Sequence, residues 1–254
     1  MRATIQDCLG LLSVLLLSLF LSKKECLAAD APKPAANSKA APPVTKKIDL
    51  PKFNGISLAG IGDLYIQQST DEGVTVEADD TLLPLIKVEV QDKTLYLDLK
   101  NASQHTQAKI KFHVNVKDLQ KIDSNTSSTI FIKDPFKTDT LNVYVSGLGE
   151  ADLNLNVNKL NAKIDGGAKI EAKGIASEQT IVINGAGVFN GAKLTGQNAN
   201  SVVSGSGIAK INVTASLTLT VSDDGIVKYC GRPVVNKQTS GSSLIRALSK
   251  TECK

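Results

Sequence analysis

Two carboxylates, Asp152 and Glu171, are the residues whose type and spacing most suggest catalysis in this 254-residue chain. They hold the same place in successive copies of a repeated motif. If each copy forms one turn of a β-coil, the carboxylates stand about 5 Å apart, near the separation of a retaining glycosidase pair. The alternative is that outward residues stack at this spacing in any such coil, with Lys169 and Lys173 neutralising the pair.

The glycine-rich segment SVVSGSGIAKI, Ser201 to Ile211, resembles a nucleotide-binding loop. A dinucleotide fingerprint needs a third glycine and a helix that follows it. Lys210 stands where that glycine is required, and the next residues alternate with the period of a strand. The segment is therefore not predicted to bind a nucleotide.

The other candidates for chemistry are isolated. His105 and His113 have no cysteine or acidic pair at ligand spacing, and His113 is predicted to be a surface residue of a strand. Asp223 and Asp224 are predicted to form a turn, because the glycine-aspartate array of calcium-binding repeats is missing. We predict no metal site and no cofactor.

The motif that carries these residues recurs at intervals of 19, 19, 20 and 18 residues, a pattern typical of a solenoid. Its copies begin at Val145, Ile164, Ile183, Val203 and Val221. These β-branched residues are predicted to form one interior column. A second interior column is predicted from Ala151, Ile170, Phe189, Ala209 and Val227, with Asp152, Glu171, Asn190, Lys210 and Lys228 pointing outward beside it.

Small residues mark the corners of the predicted coil, where a positive φ or a close approach between turns favours glycine. They are Gly147, Gly166, Gly185 and Gly205, with Asp223 in the last copy. Just before each corner lies a polar residue: Ser146, Asp165, Asn184, Ser204 and Ser222. This polar ladder is a candidate binding surface, and the alternative is that its side chains only stabilise the turns.

The sequence predicts an all-β fold, a parallel β-helix (β-solenoid) with an N-terminal irregular or antiparallel β-layer as its cap. We assign 48–254 to one domain, with this layer at 48–120, regular turns at 121–230 and a C-terminal cap at 231–254. The segment from Leu58 matches the motif, and the segment from Ile122 is predicted to be a unit in which Ser124 and Thr126 replace the glycines. Gln91 to Thr94 is predicted to be a hairpin turn.

Residues 1–29 are predicted to be a signal peptide, because a 13-residue apolar run from Leu9 to Leu21 is too short to span a bilayer. An uncleaved anchor is the alternative, since Lys23, Lys24 and Glu25 follow the run; a lipoprotein is disfavoured because Glu25 precedes Cys26. After cleavage no transmembrane span is expected. Residues 30–47, rich in Pro, Ala and Lys, are predicted to be a disordered linker.

Export to the periplasm, the cell surface or the medium would leave two cysteines, Cys230 and Cys253. We favour a disulfide between them over two free thiols. Charge is nearly balanced, at 29 basic against 25 acidic residues, and aromatic residues make up only 4% of the chain. Nucleic acid is therefore not expected as a partner.

The chain resembles the bacterial head GIN domain, a family labelled "putative autotransporter adhesin". The resemblance rests on the glycine corners VSGLGEAD and VSGSGIAKI and on the closing segment VKYCGRPVVNKQTSGSSLIRAL. It implies a parallel β-solenoid on an envelope or secreted protein and brings no catalytic residues. The expected function is non-enzymatic adhesion or interaction with an envelope glycan or protein; the alternative is a polysaccharide-active enzyme, a lyase or glycoside hydrolase.

Overall fold

The computed structural model describes residues 44–105, 109–125, 127–249 and 251–253, and its strands join into one sheet that coils through about seven turns. The described residues contain two short 3-10 helices, Leu83–Leu85 and Ala102–Gln104, and no α-helix. The strands are β1 (Val44–Ile48), β2 (Gly55–Leu58), β3 (Asp63–Gln68), β4 (Gly73–Ala78), β5 (Ile86–Gln91), β6 (Thr94–Leu99), β7 (Lys111–Val116), β8 (Lys121–Ser124), β9 (Thr129–Gly147), β10 (Glu150–Gly166), β11 (Lys169–Gly185), β12 (Val188–Ser204), β13 (Ile208–Val221), β14 (Ile226–Cys230), β15 (Val234–Thr239) and β16 (Leu244–Ala247).

The predicted signal peptide and the predicted linker up to residue 43 lie outside the described residues. The last part of that linker is ordered, because Val44–Ile48 forms β1 and pairs antiparallel with β4. Our linker boundary at residue 47 is thus corrected: β1 gains backbone hydrogen bonds that a free spacer would lack.

Each regular turn has two straight segments, as the burial of β10 shows. Buried and exposed residues alternate along the strand until Asn158 and Lys159, which are both exposed, and alternate again until Gly166 and Gly167. Two bends per turn therefore divide the outer surface into two faces. We call the face of Glu150–Val157 and its stacked counterparts the groove face, and that of Lys159–Asp165 and its counterparts the ladder face.

The predicted interior columns are confirmed. Parallel pairing places Val145, Ile164, Ile183, Val203 and Val221 in register, and each is at most 1% exposed. The second column, Ala151, Ile170, Phe189, Ala209 and Val227, is likewise in register and buried. Branched aliphatic side chains fill the coil because each pleat stacks on the same pleat of the next turn.

The corner glycines serve two different needs. Gly205 has φ +84°, a conformation that other residues adopt only with strain. Gly207 has no room for a side chain, because a Cβ there would lie 2.6 Å from Cγ2 of Ile183. Asp223 replaces the first kind of glycine at φ +57°, and its carboxylate accepts a hydrogen bond from the Gly205 backbone N–H at 3.0 Å.

The N-terminal turns are stacked out of chain order. The pair β2 and β3 lies between β6 and β7 on one side and β8 and β9 on the other, all in parallel register. Antiparallel strands β1, β4 and β5 lie at this end, compatible with the predicted layer. The predicted hairpin joins β5 to β6, with positive φ at Asp92 and Lys93 as in a type I′ turn.

The predicted register of the Ile122 unit was wrong by two residues. Ser124, not Ile122, pairs with Val145, so Ser124 lies inside the coil and is fully buried. The inner corner position opposite Gly149 is held by Ser128, whose hydroxyl donates to the carbonyl of Gly60 at 2.9 Å. Because Ser124 and Ser128 are both polar, the sequence pattern did not show which residues of this unit lie inside the coil.

At the C-terminal end, the segment predicted as a cap forms one more turn of the coil. Strand β15 pairs with β13 and strand β16 with β14, both in parallel. Beyond this turn, a disulfide joins Cys230 to Cys253, with 5.9 Å between the Cα atoms. The tail is thus tied to the end of β14.

Candidate functional site

The groove face has a depression at an irregularity in β12. Pairing with β13 jumps from Asn190 opposite Lys210 to Thr195 opposite Asn212, so four residues of β12 oppose one residue of β13. The neighbouring strand β11 shows a smaller shift at the same level. Such a bulge bends one strand away from its neighbour and opens space at the surface.

The resulting groove has a volume of about 290 Å³ and crosses several consecutive turns. Its lining is Asp152, Glu171, Ala172, Lys173, Asn190, Ala192, Lys193, Lys210 and Glu252. Because each turn contributes at least one polar side chain, a bound molecule would meet the same kinds of group repeatedly along the coil axis.

The predicted acid pair lies in this groove. Asp152 and Glu171 face each other across adjacent strands in parallel register, and the column continues through Asn190, Lys210 and Lys228 as predicted. The carboxylate of Glu171, however, forms an ion pair with Lys169 at 2.7 Å. The hydrogen bond to Glu171 also raises the pKa of Lys169 above its ordinary value. The two carboxylates are therefore neighbours with unequal surroundings.

The C-terminal tail forms one wall of the groove. Glu252 is held by the Ser249 backbone N–H at 2.9 Å and by Arg246 at 2.8 Å. The Ser249 backbone N–H, the Arg246 side chain and the Ser249 hydroxyl lower the pKa of Glu252 to about 2. Since the adjacent Cys253 is bridged to Cys230, the disulfide keeps this carboxylate beside the groove.

An aromatic stack continues the groove column toward the N-terminal end. The rings of His113 and Phe131 lie on either side of Tyr65, with centroids 5.0 and 4.9 Å from it. Phe131 is paired with Asp152, so the stack ends next to the acid pair. The rings turn their faces to one another, which leaves mainly their edges for solvent.

This stack could not be found from local sequence. Tyr65, His113 and Phe131 come from β3, β7 and β9, which the out-of-order stacking brings side by side. His113 lies on the surface of its strand, as predicted, with Nε2 3.7 Å from a carboxylate oxygen of Glu77. His105 follows the second 3-10 helix and belongs to no metal-binding group among the described residues.

The polar ladder lies on the ladder face, and its side chains bond to one another. Asn184 donates to Asp165 at 2.7 Å, and Ser204 donates to Asn184 at 3.1 Å. Asp165 also accepts from Tyr144 at 2.8 Å and pairs with Lys163 at 3.0 Å. Burial raises the pKa of Asp165, but these three donors outweigh burial and hold that pKa below its ordinary value.

Ser146 and Ser222 are the two end members of the ladder. Ser146 is paired opposite Asp165, and Ser222 donates to Asp223 at 3.2 Å. Asp224 is exposed in the turn after Asp223, as expected of a turn residue. Because Asp165, Asn184 and Ser204 bond to one another within the protein, the arrangement supports a role in holding the corners.

The described part of the chain contains neither a group of metal-ligand residues nor a membrane-spanning helix. There, no group of three or more His, Cys, Asp or Glu residues is placed to hold a metal ion. No helix of residues 44–105, 109–125, 127–249 or 251–253 is long and apolar enough to cross a bilayer.

The bulge did leave a signal in the sequence. The copy that begins at Ile183 is 20 residues long and the next one is 18, against 19 for the two before. The longer copy contains the irregular part of β12, and the shorter copy contains the segment opposite it. A change of repeat length therefore marks the groove, a signal that our sequence analysis did not use.

The sequence and the fold are both similar to those of known proteins. Residues 52–233 match the family model described as "Putative auto-transporter adhesin, head GIN domain". Curated proteins contain no significant match. A crystal structure described as a putative adhesin from Bacteroides fragilis NCTC 9343 is similar with 25% identity and a TM-score of 0.73, covering 81% of this chain and 97% of that one.

Two structures from Parabacteroides distasonis ATCC 8503 share the fold. One, described as a putative adhesin, has 24% identity and a TM-score of 0.66, covering 81% of this chain and 97% of that one. The other, described as a putative lipid binding protein, has 19% identity and a TM-score of 0.68, covering 82% and 97%. With a family match over most of the described residues and the same coiled architecture, this chain belongs to the head GIN domain family.

Proposed function

We propose that the protein is an exported, non-enzymatic adhesion or interaction module that holds an extended glycan of the cell envelope in the groove. The observation that carries the proposal is the groove lining, to which β10, β11, β12 and β13 all contribute polar side chains. A coil offers such a site the same backbone spacing at every turn. An elongated ligand can then collect several weak contacts at once.

The comparisons support this class of function. The family label names an adhesin, and so does the description of the Bacteroides fragilis structure. Each refers to binding at a surface and not to a reaction. We choose the groove as the site on geometry alone. The ladder face is the weaker choice, because its polar side chains bond to one another.

A polysaccharide-active enzyme is the second candidate, and one observation favours it. Asp152 and Glu171 occupy adjacent turns within the groove, at a backbone spacing suited to a carboxylate pair. Against this candidate, the Glu171 side chain is 47% exposed and paired with Lys169. A catalytic acid is usually held protonated in an apolar pocket, which this position does not provide.

A glycan array screened with the purified full-length chain tests the proposal. The substitution Ala192→Tyr adds bulk inside the groove, and Thr218→Tyr adds the same bulk to the exposed ladder face as a control. We expect glycan binding by the parent and the control and its loss in Ala192→Tyr. Equal binding by both variants, with matching melting temperatures, would show that the groove is not the site.

The enzyme candidate has its own test. The double variant Asp152→Asn/Glu171→Gln is incubated with each glycan that the array identifies, alongside the parent, and new reducing or unsaturated ends are measured. We expect no new ends from either protein. Cleavage by the parent that disappears in the double variant would replace our proposal with the enzyme.

A further inference from the structure

Lysines occur on four consecutive turns, and the first three of them line the groove; we call the four the lysine row. Lys173 of β11 pairs opposite Lys193 of β12, and Lys210 of β13 pairs opposite Lys228 of β14. Lys193 is one of the four bulged residues of β12 and has no register partner in β13, where Lys210 pairs opposite Asn190. Each of the four turns therefore contributes one ammonium group, in two register pairs that are offset from each other across the bulge.

These lysines are basic groups that no carboxylate of the described residues neutralises. Of the carboxylates that line it, Glu171 is paired with Lys169 and Glu252 with Arg246. Within the described residues, the four lysines of the row form no ion pair with any carboxylate. Because Glu171 and Glu252 are neutralised by their own partners and the lysines are not, the lysine side of the groove is positively charged. Asp152 lies at the far end of the groove.

We propose that the groove binds a linear anionic polysaccharide, whose carboxylate or sulfate groups contact the lysine row turn by turn. This inference rests on the proposed function and names the chemical class of its ligand. Lysine suits the task because its ammonium is a compact charge that can follow anionic groups of differing geometry. A ligand with one anionic group on every unit or every second unit can stay in step with the turns.

The surroundings of the row favour a polysaccharide over a single-stranded nucleic acid. Binding of single strands combines positive charge with aromatic faces on which bases stack. The nearest aromatic rings in this column, Tyr65 and Phe131, turn their faces to each other at a centroid distance of 4.9 Å. The groove therefore offers charge without an open stacking platform.

The decisive experiment compares two triple variants of the full-length chain that carry the same change in net charge. Lys193→Gln/Lys210→Gln/Lys228→Gln removes most of the row, whereas Lys137→Gln/Lys159→Gln/Lys237→Gln removes three lysines elsewhere. Binding of polygalacturonate, dextran sulfate, neutral dextran and polyuridylate is measured by titration at several salt concentrations. Polygalacturonate and dextran sulfate separate carboxylate from sulfate recognition.

We expect both acidic polysaccharides to bind the parent and to bind the row variant at least about tenfold more weakly at low salt, with the control variant close to the parent. The slope of log affinity against log salt should fall by about 2 in the row variant, since each lost contact removes about 0.7. Equal weakening in both variants would overturn the inference, and so would tighter binding of polyuridylate than of either polysaccharide.

The same data separate this inference from the proposed function. If only neutral glycans bind, and Ala192→Tyr abolishes that binding, the groove is a binding site but the anionic ligand is wrong. If Ala192→Tyr leaves all glycan binding intact, the site itself is wrong and the lysine row loses its basis.

Discussion

In the regular turns, each of the strands β10 to β12 pairs with the strand before it and the strand after it in the chain. In the N-terminal turns, β2 and β3 instead lie between strands that follow them at different distances along the chain. Both regions bury columns of apolar side chains. The regular turns specify their order by repetition, whereas the N-terminal turns depend on individual contacts.

Gln68 illustrates such a contact. Its side-chain amide donates to the carbonyl of Lys117 at 3.0 Å and to that of Lys137 at 2.7 Å, and its oxygen accepts from the Lys137 N–H at 2.9 Å. One side chain thereby joins β3 to segments 49 and 69 residues away. The regular turns have no need of such long-range links, since each turn is adjacent to its neighbour in sequence.

The largest predicted effect concerns the two ends of the coil. The N-terminal end is covered by antiparallel strands, while the C-terminal turn is tied down by a disulfide across 23 residues. Replacing Cys230 and Cys253 with alanine should lower the free energy of unfolding by roughly 3 kcal/mol, measured by urea denaturation. Adding reductant to the parent should reproduce the loss, and a change below about 1 kcal/mol would mean that the tail contributes little.

The corner position held by Gly207 in the regular turns and by Ser128 in the N-terminal turns should tolerate substitution differently in the two regions. Gly207→Val forces a side chain against Ile183 and should cost about 2 to 3 kcal/mol of unfolding free energy. Ser128→Ala, at the same corner position of an N-terminal turn, should cost about 1 kcal/mol through its hydrogen bond to Gly60. Thermal and urea unfolding of both variants measure the difference, and a reversed order would refute our two explanations of the corner.

Buried serine hydroxyls lie in both regions of the coil. Ser124 in the N-terminal turns and Ser201 in the regular turns are fully buried, and neither hydroxyl has a hydrogen-bond partner among the described residues. Ser124→Ala and Ser201→Ala should each raise the unfolding free energy by about 1 kcal/mol, because burial without a partner is unfavourable. Destabilisation by only one of them would reveal a bonded hydroxyl in that region.

The smallest effect is a dependence on pH. The pKa of Glu252 is lowered from 4.5 to about 2 by Ser249 and Arg246, so its stabilising contribution is complete above pH 4.5 and disappears as the pH falls through about 2. At the other end, the hydrogen bond from Lys111 lowers the pKa of Glu77. Carboxyl NMR titration should return Glu252 to an ordinary pKa in the Cys253→Ala variant and leave Glu77 unchanged; a shift of both would mean that the ends are coupled.

The sequence predicted those features that repeat at short range. The interior columns and the outward column from Asp152 to Lys228 follow from alternation within strands combined with a fixed repeat length. The Ile122 unit was misplaced because buried Ser124 resembles a corner residue. The order of the N-terminal turns and the aromatic stack arise from tertiary pairing, about which local alternation carries no information.

The interleaved N-terminal turns also affect when the protein can fold during its synthesis. A chain that emerges with its N-terminus first presents β2 and β3 early, but both neighbours of that turn are complete only once β9 has begun, at Thr129. Until then at least one edge of this turn remains open to unwanted pairing, and holding such segments apart is a familiar task of chaperones. Later turns can each close on a finished template, so synthesis of this protein should be most vulnerable in its first half.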